Sequence, residues 1–146
     1  MRSNSIAIIP ARGGSKRIPR KNIKHFMGRP LIAWSIDAAK NSGCFDRIIV
    51  STDDEEVASV ALREGAEVPF LRPAELSDDF TPTVPVIRHA LQWCERNLNS
   101  HEYSAACCIY PTAPLLDFND IAMARELLIE GGVNFVVSIT DFGYSI

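Results

Sequence analysis

The chain has 146 residues, of which 47% are hydrophobic and 23% charged, with 8 Gly and 9 Pro. That is one domain's worth of sequence with enough apolar content for a core, and it excludes a disordered tail, a collagen-like repeat and a coiled coil. The net charge of −3 is unevenly spread: residues 1–36 hold eight Lys or Arg and no acid, while the remaining 110 hold seven bases and all 18 acids, a net of −11.

A basic segment on an acidic body points to a local anionic partner. A nucleic-acid groove would make the whole domain basic, and the sequence pI near 5.6 argues against one. No apolar run approaches the roughly 20 residues of a membrane helix. Residues 6–9 are too short for the apolar region of a signal peptide, and Pro10 and Arg12 follow directly. A cytoplasmic protein with no nucleic-acid and no membrane partner is expected.

In chain order, residues 6–9 (Ile-Ala-Ile-Ile) predict a strand buried on both faces. A helix is expected over 31–40, with Leu31, Trp34 and Ala38 on one face and Gly43 near its end. Residues 47–51 predict a second strand. Asp53 or Asp54 then caps a helix reaching residue 63, with Glu55 and Glu56 in its first turn and Gly65 at its end. A short extended piece covers 68–71. A helix is expected over 82–97, with Pro85 tolerated only in the first turn. Residues 105–110 predict a strand, 118–130 a helix closed by Gly131 and Gly132, and 135–139 a last strand.

Strands alternating with helices predict a three-layer, Rossmann-like α/β fold with a mostly parallel sheet. Ligands of such sheets bind beyond the carboxyl ends of the strands. This places the loops 10–22, 51–54 and 110–116 on one rim. The chain ends at Ile146, directly after the last expected strand and without a covering helix, so it reads as a fold truncated at its C-terminus.

Cys44, Cys94, Cys107 and Cys108 form no C-x-x-C pair, and no His lies at zinc spacing from them. They are expected to be small, reduced core residues. His25, His89 and His101 show no mutual spacing, and no catalytic role is expected of them. Trp34 and Trp93 lie on apolar helical faces and read as core.

The main chemical feature is the loop after the first strand, Pro10-Ala11-Arg12-Gly13-Gly14-Ser15-Lys16-Arg17-Ile18-Pro19-Arg20-Lys21-Asn22. Gly13 and Gly14 are expected to adopt positive φ and to bring backbone N–H groups toward an anion. Ser15 adds a hydroxyl donor, and Arg12, Lys16 and Lys21 can hold several negative charges at one point. A triphosphate has that need, because its leaving pyrophosphate gains charge in the transition state. The loop fits neither G-x-x-x-x-G-K-[ST] nor G-x-G-x-x-G.

This stretch resembles the N-terminal signature of the CMP-sugar synthetases, the acylneuraminate cytidylyltransferase family. Ser51-Thr52-Asp53, Arg72-Pro73-Ala74-Glu75-Leu76 and Pro111-Thr112-Ala113-Pro114 follow in that family's order, so the resemblance covers nearly the whole chain. It implies a nucleotidyltransferase fold and transfer of CMP from CTP to the anomeric hydroxyl of a nine-carbon 2-keto sugar acid, with magnesium (Mg2+) and release of pyrophosphate. Carried over by motif, Arg12 and Lys21 are the catalytic pair. Ala11, Gly13, Gly14, Ser15, Lys16 and Asn22 join them as nucleotide contacts. Arg72, Thr81, Thr83 and Tyr110 are expected to line the pocket near base and ribose. The family's sialic-acid members carry Gln and Arg where this chain has Tyr110 and Leu116, and Tyr110 resembles the pseudaminic acid branch.

The resemblance also implies that the metal-binding aspartates, the sugar contacts and a homodimer interface lie beyond Ile146, so that residues 1–146 contribute no metal ligand. They are then the N-terminal, nucleotide-binding part of one cytidylyltransferase domain. Two alternatives stay open: a 3-deoxy-manno-octulosonate cytidylyltransferase, and a catalytically dead nucleotide-binding module. Among the carboxylates, Asp53 reads either as a site neighbour or as a helix cap, Asp78 and Asp79 as solvated turn residues, and Asp117, Asn119 and Asp120 as the start of a helix.

Overall fold

In a computed structural model describing residues 4–98, 103–141 and 143, the most apolar run of the sequence is its central strand. β1 (Ser5–Pro10) lies between β4 (Arg47–Ser51) and β5 (Ala105–Cys108) in a three-stranded parallel sheet of order β4-β1-β5. The register pairs Ile8 with Ile49 on one side and with Cys108 on the other. Residues Ile6, Ala7, Ile8 and Ile9 are each 0% exposed, which is why the run is unbroken rather than alternating.

Parallel neighbours need crossover connections, and helices supply them. α1 (Leu31–Ser42) links β1 to β4; α2 (Glu55–Arg63) and α3 (Thr83–Asn97) lie between β4 and β5; α4 (Phe118–Glu130) follows β5. Ala7 and Ile9 pack with Ile32 and Ile36 of α1, Val57 and Val60 of α2, and Ile121 of α4. Ile6 and Ile8 pack on the opposite face with Ile49 and with Ala90 and Cys94 of α3. The three-layer α/β expectation is met. Asp54 caps α2 and Asp117 caps α4, each accepting from backbone N–H groups of the first turn. Pro85 falls in the first turn of α3, where no N–H is lost. No helix among the described residues is long and apolar enough to cross a membrane.

Several expectations need correction. Residues 135–139 form no strand: Phe135, Val137 and Ile139 are 86%, 76% and 90% exposed. β-branched content favours a strand only when a sheet edge pairs with it and a layer covers it, and this segment meets neither here. The strand at 105 stops at Cys108, although Ile109 N–H still donates to the Ile8 carbonyl. Residues 67–71 touch the sheet through isolated bridges, Ile49 with Glu67 and Thr52 with Leu71.

A hairpin was not expected at all. β2 (His25–Phe26) pairs antiparallel with β3 (Arg29–Pro30) across Met27 (φ 48°) and Gly28 (φ 83°). Both central residues are left-handed, as a primed two-residue turn requires. Trp34 is not core: it is half-buried, its Nε1 donates to the Phe26 carbonyl, and the Arg29 guanidinium lies 5.5 Å from its ring centre. Trp93 is half-buried against Phe70 at 5.2 Å. The cysteines are free, as expected, but only Cys94 is fully buried and Cys108 is exposed on the strand face opposite Cys107. Burial pushes the Cys107 thiol up to about 11. His101 lies outside the described residues, as do Tyr144, Ser145 and Ile146, on which the expectation of a fold cut short at its C-terminus was placed.

The central position of β1 fixes an expected stability effect. Ile8→Ala should cost about 2–5 kcal/mol, and Leu62→Ala on the half-exposed face of α2 less than about 1 kcal/mol. Urea unfolding of the two variants checks the contrast.

Candidate active site

β1 and β4 leave the sheet side by side. Pro10 pairs with Ser51, and Ala11 N–H continues the ladder by donating to the Ser51 carbonyl at 2.9 Å. Their exit loops therefore start at one rim, and the loop after β5 joins them.

The β1 loop is held by the two aspartates after β4. Gly13 N–H donates to Asp53 Oδ1 at 2.9 Å. Asp54 accepts from Glu56 N–H and Val57 N–H, both at 2.9 Å, and thereby caps α2. The same carboxylate takes the Arg20 guanidinium at 2.5 and 3.1 Å, and Glu56 binds Arg20 as well. The Arg20 guanidinium, and then the capping N–H groups, hold the Asp54 carboxyl below the usual carboxylate range. Arg20 itself has φ 55°, so the left-handed residue of the loop is an arginine.

This corrects the expected role of the glycines. Neither Gly13 nor Gly14 is among the residues with positive φ. Gly13 is required by proximity: a Cβ there would stand 2.5 to 2.8 Å from atoms of the Asp54 side chain. Its N–H is already committed to Asp53. A Cβ at Gly14 would meet nothing within 4 Å.

Arg12, Ser15, Lys21 and Asn22 line a cleft of about 140 Å³ whose far wall is Tyr110, Pro111 and Thr112. Asn22 is buried; its Nδ2 donates to the Arg12 carbonyl at 2.9 Å, and its Oδ1 is left without a partner. Lys21 makes no ion pair among the described residues. Arg12 and Lys16 share one carboxylate: Arg12 Nη1 stands 2.5 Å from Asp79 Oδ1, and Lys16 Nζ pairs with Asp79 Oδ2. Arg12 also donates to the Asp78 carbonyl at 3.1 Å. A wider groove of about 540 Å³ lies between α2 and residues 68–71, but Leu62, Val68, Phe70 and Leu71 make it apolar and it does not touch the basic loop. Convergent charge marks the smaller cleft as the chemical site.

The other expected contacts divide. Tyr110 is 57% exposed at the cleft mouth; its hydroxyl is 3.1 Å from the Thr83 hydroxyl, and its carbonyl accepts from Ser35. Thr83 thus borders the cleft. Thr81 does not: its hydroxyl donates to Asp78 Oδ1 at 2.7 Å. Arg72 is 7% exposed and donates to the Ser51 and Leu76 carbonyls at 2.8 and 3.1 Å, beneath the rim rather than in the cleft. Desolvation lowers its pKa, and among the described residues no carboxylate forms an ion pair with it. Asp78 is the turn residue expected, but Asp79 is not simply solvated. Asp53 stands at the site, as one of its two readings had it, and Asp54 is the cap; Arg20 and Asp79 are site residues that local pattern did not single out. His89 packs against the Phe70 ring at 4.9 Å, away from the cleft. Among the described residues, no group of three or more His, Cys, Asp or Glu could hold a metal ion.

A family model described as cytidylyltransferase matches residues 6–141. A pseudaminic acid cytidylyltransferase of Campylobacter jejuni subsp. jejuni is 47% identical over 142 residues, covering 97% of this chain and 60% of that protein. An N-acylneuraminate cytidylyltransferase A of Danio rerio is 42% identical over 133 residues, 91% of this chain and 29% of that protein. The chain thus spans about 60% of the length of the curated pseudaminic acid relatives it matches. A solved CMP:2-keto-3-deoxy-manno-octonic acid synthetase complexed with CTP has the same fold, with a TM-score of 0.72 at 19% identity over 89% of this chain and 49% of its own.

The Asp54 junction carries a pH prediction. Its carboxyl is depressed in the folded protein, so its stabilising contribution is present above the unfolded carboxylate pKa of about 4 and is lost as pH falls through the lower folded value. Melting temperatures measured from about pH 6 down to about pH 2.5 should fall less steeply in Asp54→Asn than in the wild type.

Proposed function

Because the chain belongs to the cytidylyltransferase family, we propose that it transfers CMP from CTP to the anomeric hydroxyl of a nonulosonic acid, pseudaminic acid in preference to N-acylneuraminic acid, releasing pyrophosphate. On this reading residues 1–146 are the nucleotide-binding part of the domain. The observation that carries it is Lys21, a cation with no acidic partner among the described residues, which lines one cleft with Arg12, Ser15 and Asn22. The choice of sugar rests on Tyr110 before Pro111-Thr112 and on the higher identity to the pseudaminic acid relative than to the N-acylneuraminate one.

In the proposed reaction the sugar hydroxyl oxygen attacks the α-phosphorus of CTP in line. The bond from that phosphorus to the bridging oxygen breaks, and the hydroxyl proton is lost. Negative charge moves onto the departing pyrophosphate. On this reading Lys21 and Arg12 in the cleft, and Lys16 beside it, neutralise that charge, and Ser15 adds a neutral donor. The Asn22 amide fixes the loop through the Arg12 carbonyl. The Tyr110 and Thr83 hydroxyls offer a polar edge at the mouth. The resemblance also implies magnesium, and the acidic side chains among the described residues form no cluster that fits it.

Pyrophosphate release from CTP in the presence of pseudaminic acid tests the assignment. In the full-length enzyme, Lys21→Ala and Arg12→Ala should each lower turnover at least about 100-fold. Near-normal turnover in both variants would sink the assignment, and CTP binding without turnover in the wild type would instead leave a nucleotide-binding module.

A further inference from the structure

The three cations nearest the cleft are not treated alike. Lys21 is unpaired among the described residues, whereas Arg12 and Lys16 converge on the single carboxylate of Asp79. Asp79 belongs to a turn that is closed on itself. Asp78 Oδ1 accepts from Phe80 N–H at 2.9 Å, Thr81 N–H at 2.6 Å and the Thr81 hydroxyl at 2.7 Å. The residue at its tip, Phe80, is 89% exposed and gives the turn no apolar anchor. The contacts joining this turn to the basic loop are the two ion pairs of Asp79 and the bond from Arg12 to the Asp78 carbonyl. Lys16, and then Arg12, holds the Asp79 carboxyl below the usual carboxylate range, so it is ionised near neutral pH.

A carboxylate bridging two cations offers them the acceptor chemistry of a phosphate group with less charge. Ion pairs between solvent-exposed groups are individually weak and screened by salt. A polyphosphate reaching the same two donors would compete with Asp79 for them and would carry more charge into the exchange. We propose that Asp79 is an internal counter-anion: the 78–81 turn is a strap that neutralises Arg12 and Lys16 in the empty site and is displaced when the triphosphate arrives. The proposal rests on the phosphate site of the cytidylyltransferase reading and adds to it a residue that sets nucleotide affinity from outside the cleft. In the empty protein the strap also keeps two like charges together that would otherwise repel.

The test uses inorganic pyrophosphate as the probe, titrated calorimetrically into the purified wild type and Asp79→Asn at low salt, with circular dichroism confirming the fold. Asp79→Asn should bind roughly 3- to 10-fold more tightly, the range expected for removing one or two exposed ion pairs. Phe80→Trp reports the strap directly: pyrophosphate should shift its emission toward that of the Phe80→Trp, Asp79→Asn double variant. Equal or weaker binding by Asp79→Asn would overturn the strap. So would tighter binding with no emission change, which would mean that Asp79 acts only through its distant charge while the turn stays in place. If neither protein binds pyrophosphate, the phosphate-site reading falls and the strap falls with it.

Discussion

The carboxylate of Asp54 is the joint on which the site depends. It closes the N-terminus of α2, takes the guanidinium of Arg20, and presses against Gly13 so closely that no side chain fits there. One ionised group thus ties a helix of the β4 crossover to both ends of the loop after β1. The parallel pairing of β1 with β4 makes this possible, because it brings Pro10 beside Ser51 and delivers the two exit loops to the same rim. With Asp53 holding Gly13 N–H, the loop is braced before any ligand arrives. Preformed donors cost less to organise at the moment of reaction, which is the physical advantage of such bracing.

Charge within the loop follows from that bracing. Arg20 is spent on structure, with Asp54 and Glu56 as its partners. Arg12 lines the cleft beside Lys21 but is held, together with the exposed Lys16, on Asp79, while Lys21 makes no ion pair among the described residues. The strong positive charge of the first 36 residues is therefore not one undivided binding surface. Part of it folds the loop, part is held against an internal acid, and part is open to an external anion. Arg72 adds a buried cation beneath the rim whose guanidinium donates to the Ser51 and Leu76 carbonyls, so it contributes positive potential without reaching the cleft.

Much of the fold was legible because its signals are local. A run of four residues free of polar side chains marks β1, and aspartates at 54 and 117 mark helix starts. The hairpin at 25–30 was not legible, since Met27 is a poor residue for positive φ and gives no turn signal. Residues 135–139 carry strand composition, but composition does not supply an edge to pair with. For the site, the loop itself was legible from its residue types. Its internal contacts were not: Arg12 reaches Asp79 across 67 positions and Gly13 reaches Asp53 across 40. Opposite charges announce that they will pair, and only the topology decides with whom. The same limit explains why Arg72 and Thr81, which match the family's motifs, lie outside the cleft that Tyr110 borders.

That the loop binds a triphosphate, rather than any cytidine nucleotide, is tested most directly by comparing CTP with CMP in calorimetric titrations of the wild type and Lys21→Ala. CTP should bind the wild type at least about 10-fold more tightly than CMP, a difference of about 1.4 kcal/mol carried by the two outer phosphates, and most of that advantage should vanish in Lys21→Ala. Equal affinity for CTP and CMP in the wild type, or an undiminished preference for CTP without the Lys21 ammonium, would contradict it.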